Sequence, residues 1–260
     1  MDLGLAGRRA VVTGGSKGLG KAITAELLAE GAQVVICSRD DAELEATAAE
    51  LRKPGGTVFA FRCDVTDPDE VTAFINQAES ALGGIDILVN NAGAARPGRF
   101  ETLSDADLEG DFEVKVMSQV RCTRAALPML RQSPAARVIN INAVYGRYPD
   151  PAFFATSVNR ASCLGLAKAL AMELGPEGIL VNSVNIGFVT TPQWENIHRR
   201  RAPDTPAEEF FGQLAAAEVP LGRFGRADEV AGVVAFLAGD RASYITGASI
   251  DVAGGMGKYL

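Results

Sequence analysis

Short runs of β-branched and aliphatic residues alternate along the chain with longer stretches whose apolar positions recur every three to four residues. That alternation predicts strand–helix–strand units and a parallel sheet. Arg9–Thr13 reads as a first strand, followed by a glycine-rich turn and a helix over about 20–30, which Gly31 stops. Residues 33–37 make the second strand, and Asp41–Arg52 an amphipathic helix that ends before Pro54-Gly55-Gly56. Val58–Arg62 is the third strand and 67–82 the third helix, with Pro68 placed to start it. Residues 85–89 are apolar apart from Asp86 and read as a strand covered on both faces.

Two long helices are expected next, over 105–131 and 152–174, with a strand at 137–141 between them. A strand at 179–184, a helix at 228–237 and the strand Ser249–Val252 complete the series. The stretch over about 188–220 breaks the rhythm with prolines and charges, and reads as a mobile lid over a substrate. No repeat or linker interrupts the pattern, so 1–260 is expected to form one α/β domain.

With 260 residues, 47% of them hydrophobic, the chain can bury a sizeable core by itself. A net charge of −7 argues against a nucleic-acid partner, which would select a basic surface. The one basic cluster, His198-Arg199-Arg200-Arg201, reads as a solvated face. The first residues have neither the basic nor the apolar region of a signal peptide, and no window of 18 apolar residues suggests a membrane span. Cys37, Cys63, Cys122 and Cys163 form no Cys-x-x-Cys pair and read as buried, reduced thiols of a cytoplasmic protein. One histidine excludes a His-rich metal site, and no metal is expected.

The chemistry begins at the turn Thr13-Gly14-Gly15-Ser16-Lys17-Gly18-Leu19-Gly20. Glycines between a strand and a helix let the backbone approach a pyrophosphate, whose charge the helix N-terminus stabilises. A carboxylate ending the second strand would bind the ribose hydroxyls of NAD. This chain has Cys37-Ser38-Arg39 there, with Lys17 in the turn, so NADP(H) is favoured over NAD(H).

From these residues onward the chain resembles the short-chain dehydrogenase/reductase family over nearly its whole length. The resemblance rests on the turn Thr13 to Gly20, on Asp64-Val65, and on Asn90-Asn91-Ala92-Gly93 after the fourth strand. It extends to Thr123-Arg124-Ala125-Ala126-Leu127-Pro128, Val181-Asn182, Gly187 with Thr190, and Pro220-Leu221-Gly222-Arg223-Phe224. It implies a Rossmann-like doubly wound sheet of about seven parallel strands with helices on both faces. It also implies cofactor contacts from Thr13, Gly14, Ser16, Lys17, Gly18, Leu19, Gly20, Ser38, Arg39, Asp64, Val65, Asn91, Ala92, Gly93, Arg160, Gly187 and Val189. Relatives of this kind pair their two long helices, which implies a homodimer or homotetramer.

The catalytic positions depart from the family. No tyrosine is followed four residues later by lysine. Matching the flanks puts Ala143 at the family's serine, Thr156 at its tyrosine, Arg160 at its lysine and Lys115 at its asparagine. Threonine is a far weaker acid than a phenol, alanine offers no hydrogen bond, and arginine stays protonated. Tyr145, Tyr148 and His198 are candidate displaced acids. Lys115 and Arg160 would place two cations in one cleft with no acid at the matched positions, which predicts a small-molecule substrate carrying an anionic group. Three function classes follow: an atypical NADP(H)-dependent oxidoreductase acting on a small carbonyl or alcohol, a non-redox lyase or hydrolase on the same scaffold, and a nucleotide-binding pseudoenzyme. The first is favoured because the cofactor motifs are complete.

Overall fold

In the computed structural model, which describes residues 1–53 and 55–257, the alternation becomes a regular succession of elements. Pro54, expected beside the end of the second helix, and Tyr259 lie outside the described residues. The chain runs β1 (Arg9–Thr13), α1 (Gly18–Ala29), β2 (Gln33–Ser38), α2 (Asp41–Arg52), β3 (Val58–Arg62), α3 (Pro68–Leu82) and β4 (Ile87–Asn90). It continues through α4 (Asp105–Phe112), α5 (Ser118–Leu130), β5 (Arg137–Ala143), α6 (Phe154–Leu174) and β6 (Leu180–Ile186). Then follow α7 (Pro192–Arg201), α8 (Ala207–Glu218), α9 (Ala227–Ala238) and β7 (Ser249–Val252).

All strands pair in parallel, in the order β3-β2-β1-β4-β5-β6-β7. The chain moves outward from β1 to β3 and then crosses back to β4 on the other side of β1. The crevice between β1 and β4 is therefore the topological switch point, where an open α/β sheet binds its ligand. Alternate residues of each strand face opposite sides. Ala10, Val12 and Ile36 pack on one side with Ile23 and Leu27 of α1 and with Val230 and Val234 of α9. Val11, Val35, Leu88 and Val138 pack on the other with Phe74 of α3, Leu130 of α5 and Leu174 of α6. Phe74 is fully buried, and its truncation to alanine would cost about 3–5 kcal/mol.

Two expectations change. The helix expected over 105–131 is interrupted by a π-helical turn at Glu113–Met117, between α4 and α5. The extra residue of a π turn re-aims the side chains around it. Here Asp111, Lys115 and Val116 all face the interior. The irregular lid expected over about 188–220 is mostly two helices, α7 and α8. Pro192 begins α7, where its missing N–H costs nothing, and His198, Arg199, Arg200 and Arg201 occupy the last turn, where cations favour the helix dipole. Trp194 of α7 meets Phe188 and Phe224 at 4.7 and 5.2 Å between ring centres, so this segment has an aromatic core of its own.

The four cysteines are free and buried. Cys37 and Cys63 meet, and that contact, with burial, pushes the Cys37 thiol up. Burial takes the neighbouring Cys122 thiol up to about 12. Among the described residues no helix is long and apolar enough to cross a membrane, and no cluster of His, Cys, Asp and Glu could hold a metal ion.

Candidate active site

The glycine turn is held from below by β4. Asn91 Nδ2 donates to the carbonyls of Thr13 and Gly14, at 2.9 and 3.0 Å. The amides of Asn91 and Ala92 both donate to Thr13 Oγ1 at 3.0 Å. A Cβ at Gly20 would stand 2.1 Å from the Gly14 carbonyl oxygen, so only glycine permits this fold of the turn. No acidic residue occupies the first turn of α1, so the positive end of its dipole favours an anion there. These observations fit a dinucleotide pyrophosphate.

At the outer end of the crevice, Ser38 and Arg39 leave β2 and Asp64 leaves β3. Arg39 is 73% exposed and lies 4.0 Å from Asp64, so its guanidinium is available to a ligand. Burial raises the Asp64 carboxyl, but hydrogen bonds from Thr66 outweigh it and hold the group below its ordinary range. Val65 is buried in the core beneath it. The expected pairing of Lys17 with Arg39 is altered. Lys17 Nζ sits 2.9 Å from Glu43, which also accepts from Ser16, while Asp40 caps α2 by accepting from the Glu43 amide. Arg39 is thus the less restrained of the two cations. At the inner end, Gly187 leaves β6 and packs on Ala253, and Val189 bridges to Gly225.

Of the four positions matched to the family's catalytic residues, Lys115 and Thr156 meet directly. Lys115 Nζ donates to Thr156 Oγ1 at 3.0 Å, and the Arg96 amide donates to the same oxygen at 3.3 Å. Lys115 is fully buried and also donates to Asp111, one helical turn before it. Asp111 accepts in addition from Asn159 Nδ2 at 2.8 Å. Burial first, and the charge of Arg160 second, lower Lys115 from 10.5 to about 8 against the opposing pull of Asp111. Arg160 is buried too; its Nη1 donates to the Ile141 carbonyl at 2.8 Å, and its guanidinium edge lies beside Gly93. Arg160 Nε is buried with no hydrogen-bond partner among the described residues. Ala143 closes β5 with no polar side chain to add.

The expected pair of uncompensated cations is overturned by this network. Asp111 balances Lys115, and it does so from a position that matching to the family motif does not mark. Its i,i+4 spacing to Lys115 was the available signal, but the same spacing on an exposed face means only a weak surface pair.

The other candidates lie elsewhere. Tyr145 is buried and stacked on Phe153 at 5.1 Å. Burial, followed by the charge of Asp150, raises its phenol well above the usual tyrosine range, which makes it a poorer acid. Tyr148 lines a cavity of about 340 Å³ with Ala216, Glu218 and Pro220, and neither Thr156, Lys115 nor Arg160 lines it. The His198 ring packs against Phe210 and Phe211, with Nε2 2.7 Å from the Thr205 carbonyl, so it serves the packing of α7 on α8.

Comparison with known proteins agrees with this fold. The family model described as enoyl-(acyl carrier protein) reductase matches residues 14–257. The chain is 36% identical over 252 residues to the oxidoreductase UcpA of Salmonella typhimurium, covering 96% of this chain and 95% of that one. It superposes on the apo form of a short-chain oxidoreductase from Pseudomonas aeruginosa described as containing an atypical catalytic center, with TM-score 0.93, 37% identity, and coverage of 99% and 100%. L-sorbose reductase from Gluconobacter frateurii, solved with NADPH and L-sorbose, superposes over the full length of both chains with TM-score 0.97 at 32% identity. The chain belongs to the short-chain dehydrogenase/reductase family.

Proposed function

We propose that this short-chain dehydrogenase/reductase is an NADP(H)-dependent oxidoreductase for a small carbonyl or alcohol, with Lys115 and Thr156 in place of the family's proton-handling pair. One observation carries the reading: the buried Lys115 ammonium lies 3.0 Å from Thr156 Oγ1. Two related solved structures, the P. aeruginosa oxidoreductase and L-sorbose reductase, are described with NADPH, which supports the choice of cofactor.

The nicotinamide, when bound, gives hydride to a carbonyl carbon or takes it from an alcohol carbon. This chain's own groups handle the proton. A hydroxyl oxygen has two lone pairs and one hydrogen. Both lone pairs of Thr156 are engaged, by Lys115 and by the Arg96 amide, so in this reading its hydrogen is the one free for a substrate oxygen. In reduction, Thr156 passes that proton to the substrate oxygen and Lys115 replaces it from Nζ, with Asp111 holding the amine in place. A pKa of about 8 keeps Lys115 mostly protonated at neutral pH while leaving it acidic enough to give the proton up. The Arg160 guanidinium lies beside Gly93, where it could donate to a ribose or phosphate oxygen. With Lys115 balanced by Asp111, the case for an anionic substrate rests on Arg160 alone, and neutral carbonyls belong in the trial set.

The test is a panel of ketones, alcohols and keto acids with NADPH or NADP. Turnover is expected in the unmodified protein and in Thr156→Ser, which keeps the hydroxyl, and not in Thr156→Val. Full activity in Thr156→Val would overturn the relay. Tight NADPH binding with no turnover on the whole panel would overturn the redox reading and leave the lyase, hydrolase or pseudoenzyme.

The chain is further proposed to self-associate through α4 and α6. Leu108, Phe112, Phe154 and Val158 line an open apolar groove of about 590 Å³ between these helices, and Val158 is 48% exposed. Burying such a face fits a second copy. A monomeric mass at micromolar concentration would end this idea.

A further inference from the structure

Two consecutive amides connect opposite walls of the site. Ala95 N–H donates to Gln193 Oε1 in the first turn of α7 at 3.0 Å, and Arg96 N–H donates to Thr156 Oγ1 of α6 at 3.3 Å. The following residue is Pro97, which confines Arg96 to extended backbone. In extended backbone, successive N–H groups point to opposite sides. The segment 95–96 is therefore gripped between the segment that begins with α7 and the helix that carries the reacting hydroxyl.

Gln193 is well placed to hold its end. Its neighbour Trp194 is fixed between Phe188 and Phe224. The same turn of α7 also reaches the glycine turn: a Cβ at Gly18 would lie 3.5 Å from Pro192 Cδ and 3.6 Å from Thr191 Cβ. The first turn of α7 thus touches the cofactor crevice on one side and the strip leading to Thr156 on the other. We infer that Gln193 is a positioning residue, which by accepting from Ala95 keeps the Arg96 amide on Thr156 and so keeps the threonine proton directed into the cleft. The inference rests on the reading of Thr156 as the last proton donor. It adds that the seating of the α7 segment, and not α6 alone, sets the direction of that donor. Without the Gln193 acceptor, the strip gains freedom, the Arg96 bond loosens, and the Thr156 hydroxyl can turn its proton away.

The test uses the full chain saturated with NADPH, as Gln193→Met, which keeps the shape and loses the acceptor, and as Gln193→Glu, which keeps an acceptor. Amide hydrogen exchange at residues 95 and 96 is read first, by NMR. Both amides are expected to exchange roughly tenfold faster or more in Gln193→Met, and to regain protection in Gln193→Glu. Faster exchange at Ala95 alone, with Arg96 unchanged, overturns the inference whatever the activity. Carbonyl reduction is read second. Gln193→Met should lower kcat roughly tenfold while KM stays within about twofold, with recovery in Gln193→Glu. Unchanged kcat in Gln193→Met beside an inactive Thr156→Val overturns the role of Gln193 and leaves the relay standing. Full turnover in Thr156→Val overturns the relay itself. If Gln193→Met fails to fold, Ala95→Pro removes the donor instead of the acceptor and is held to the same exchange and kcat outcomes at Arg96.

Discussion

The two halves of the crevice are built on different principles. The cofactor half, around the turn 13–20, is made of backbone: glycines, free N–H groups at the start of α1, and Asn91 holding two turn carbonyls. The other half is made mainly of side chains from α4, the π turn and α6, joined by one loop amide, with Lys115 and Thr156 forty-one positions apart in the chain. Backbone sites tolerate many side-chain changes around them but few changes of glycine. Side-chain networks behave the other way: a member can change in kind, provided the network still closes. Asp111 closes this one.

The sharpest way to break the contrast is at Thr156. Thr156→Val is expected to lower turnover by about 10²–10⁴-fold, the usual span of general acid–base catalysis, with NADPH affinity nearly unchanged in a fluorescence titration. Loss of cofactor binding instead would mean that the two halves are not separable.

Next in size is the pair beneath it. Asp111→Asn leaves a buried ammonium with no carboxylate, a change that costs about 3–5 kcal/mol in thermal or denaturant unfolding at neutral pH. Losing the Asp111 pull also takes Lys115 lower than about 8. The sign of the pH effect follows. Lys115 has its folded pKa at about 8 and its ordinary value at 10.5, so between them the unfolded chain binds more protons, and this site's contribution to stability rises with pH across that window. In Asp111→Asn the rise should begin at lower pH. Carbonyl reduction in the unmodified protein should fall as pH passes about 8, while alcohol oxidation should climb. Reduction that stays flat to pH 10 would remove Lys115 from the relay.

The backbone half is probed by Gly20→Ala. The added methyl meets the Gly14 carbonyl oxygen, so overpacking of about 1–3 kcal/mol is expected in unfolding, together with weaker NADPH binding and little change in the pH break of any remaining activity. The smallest change is Arg39→Asp, expected to shift the NADPH-to-NADH affinity ratio roughly tenfold toward NADH. Equal affinity for the two cofactors in the unmodified protein would show that Arg39, although exposed, does not read the 2′-phosphate.

Much of this molecule was written in local sequence. The bounds of β1, α2, β3 and β7 follow from runs of β-branched residues, caps and glycine stops, because those signals act within a few residues of where they stand. The turn at 13–20 was legible for the same reason: a glycine that must admit a carbonyl, and a helix that must start, are local requirements. The π turn at Glu113–Met117 was not legible, since a widened turn is selected by what packs on its two sides. Tyr145 shows the same limit. Its position beside Ala143 suggested an acid, yet burial against Phe153 raised its phenol out of use.

By itself, then, the sequence determined a parallel α/β sheet, a phosphate-accepting turn at its first crossover, and the absence of a Tyr-x-x-x-Lys pair. Only the tertiary structure brought Asp111, Lys115 and Thr156 into one buried network. Asp111 and Lys115 are a spacing that on a solvated helix contributes a few tenths of a kcal/mol; burial removes the water that would screen them and moves the amine to about 8. Thr156 and Gln193 are ordinary polar residues in the sequence. They acquire direction because folding brings two adjacent amides, at 95 and 96, between α7 and α6. Charge and hydrogen-bond direction depend on which groups share a dry space, and that is set by packing between segments remote in the chain.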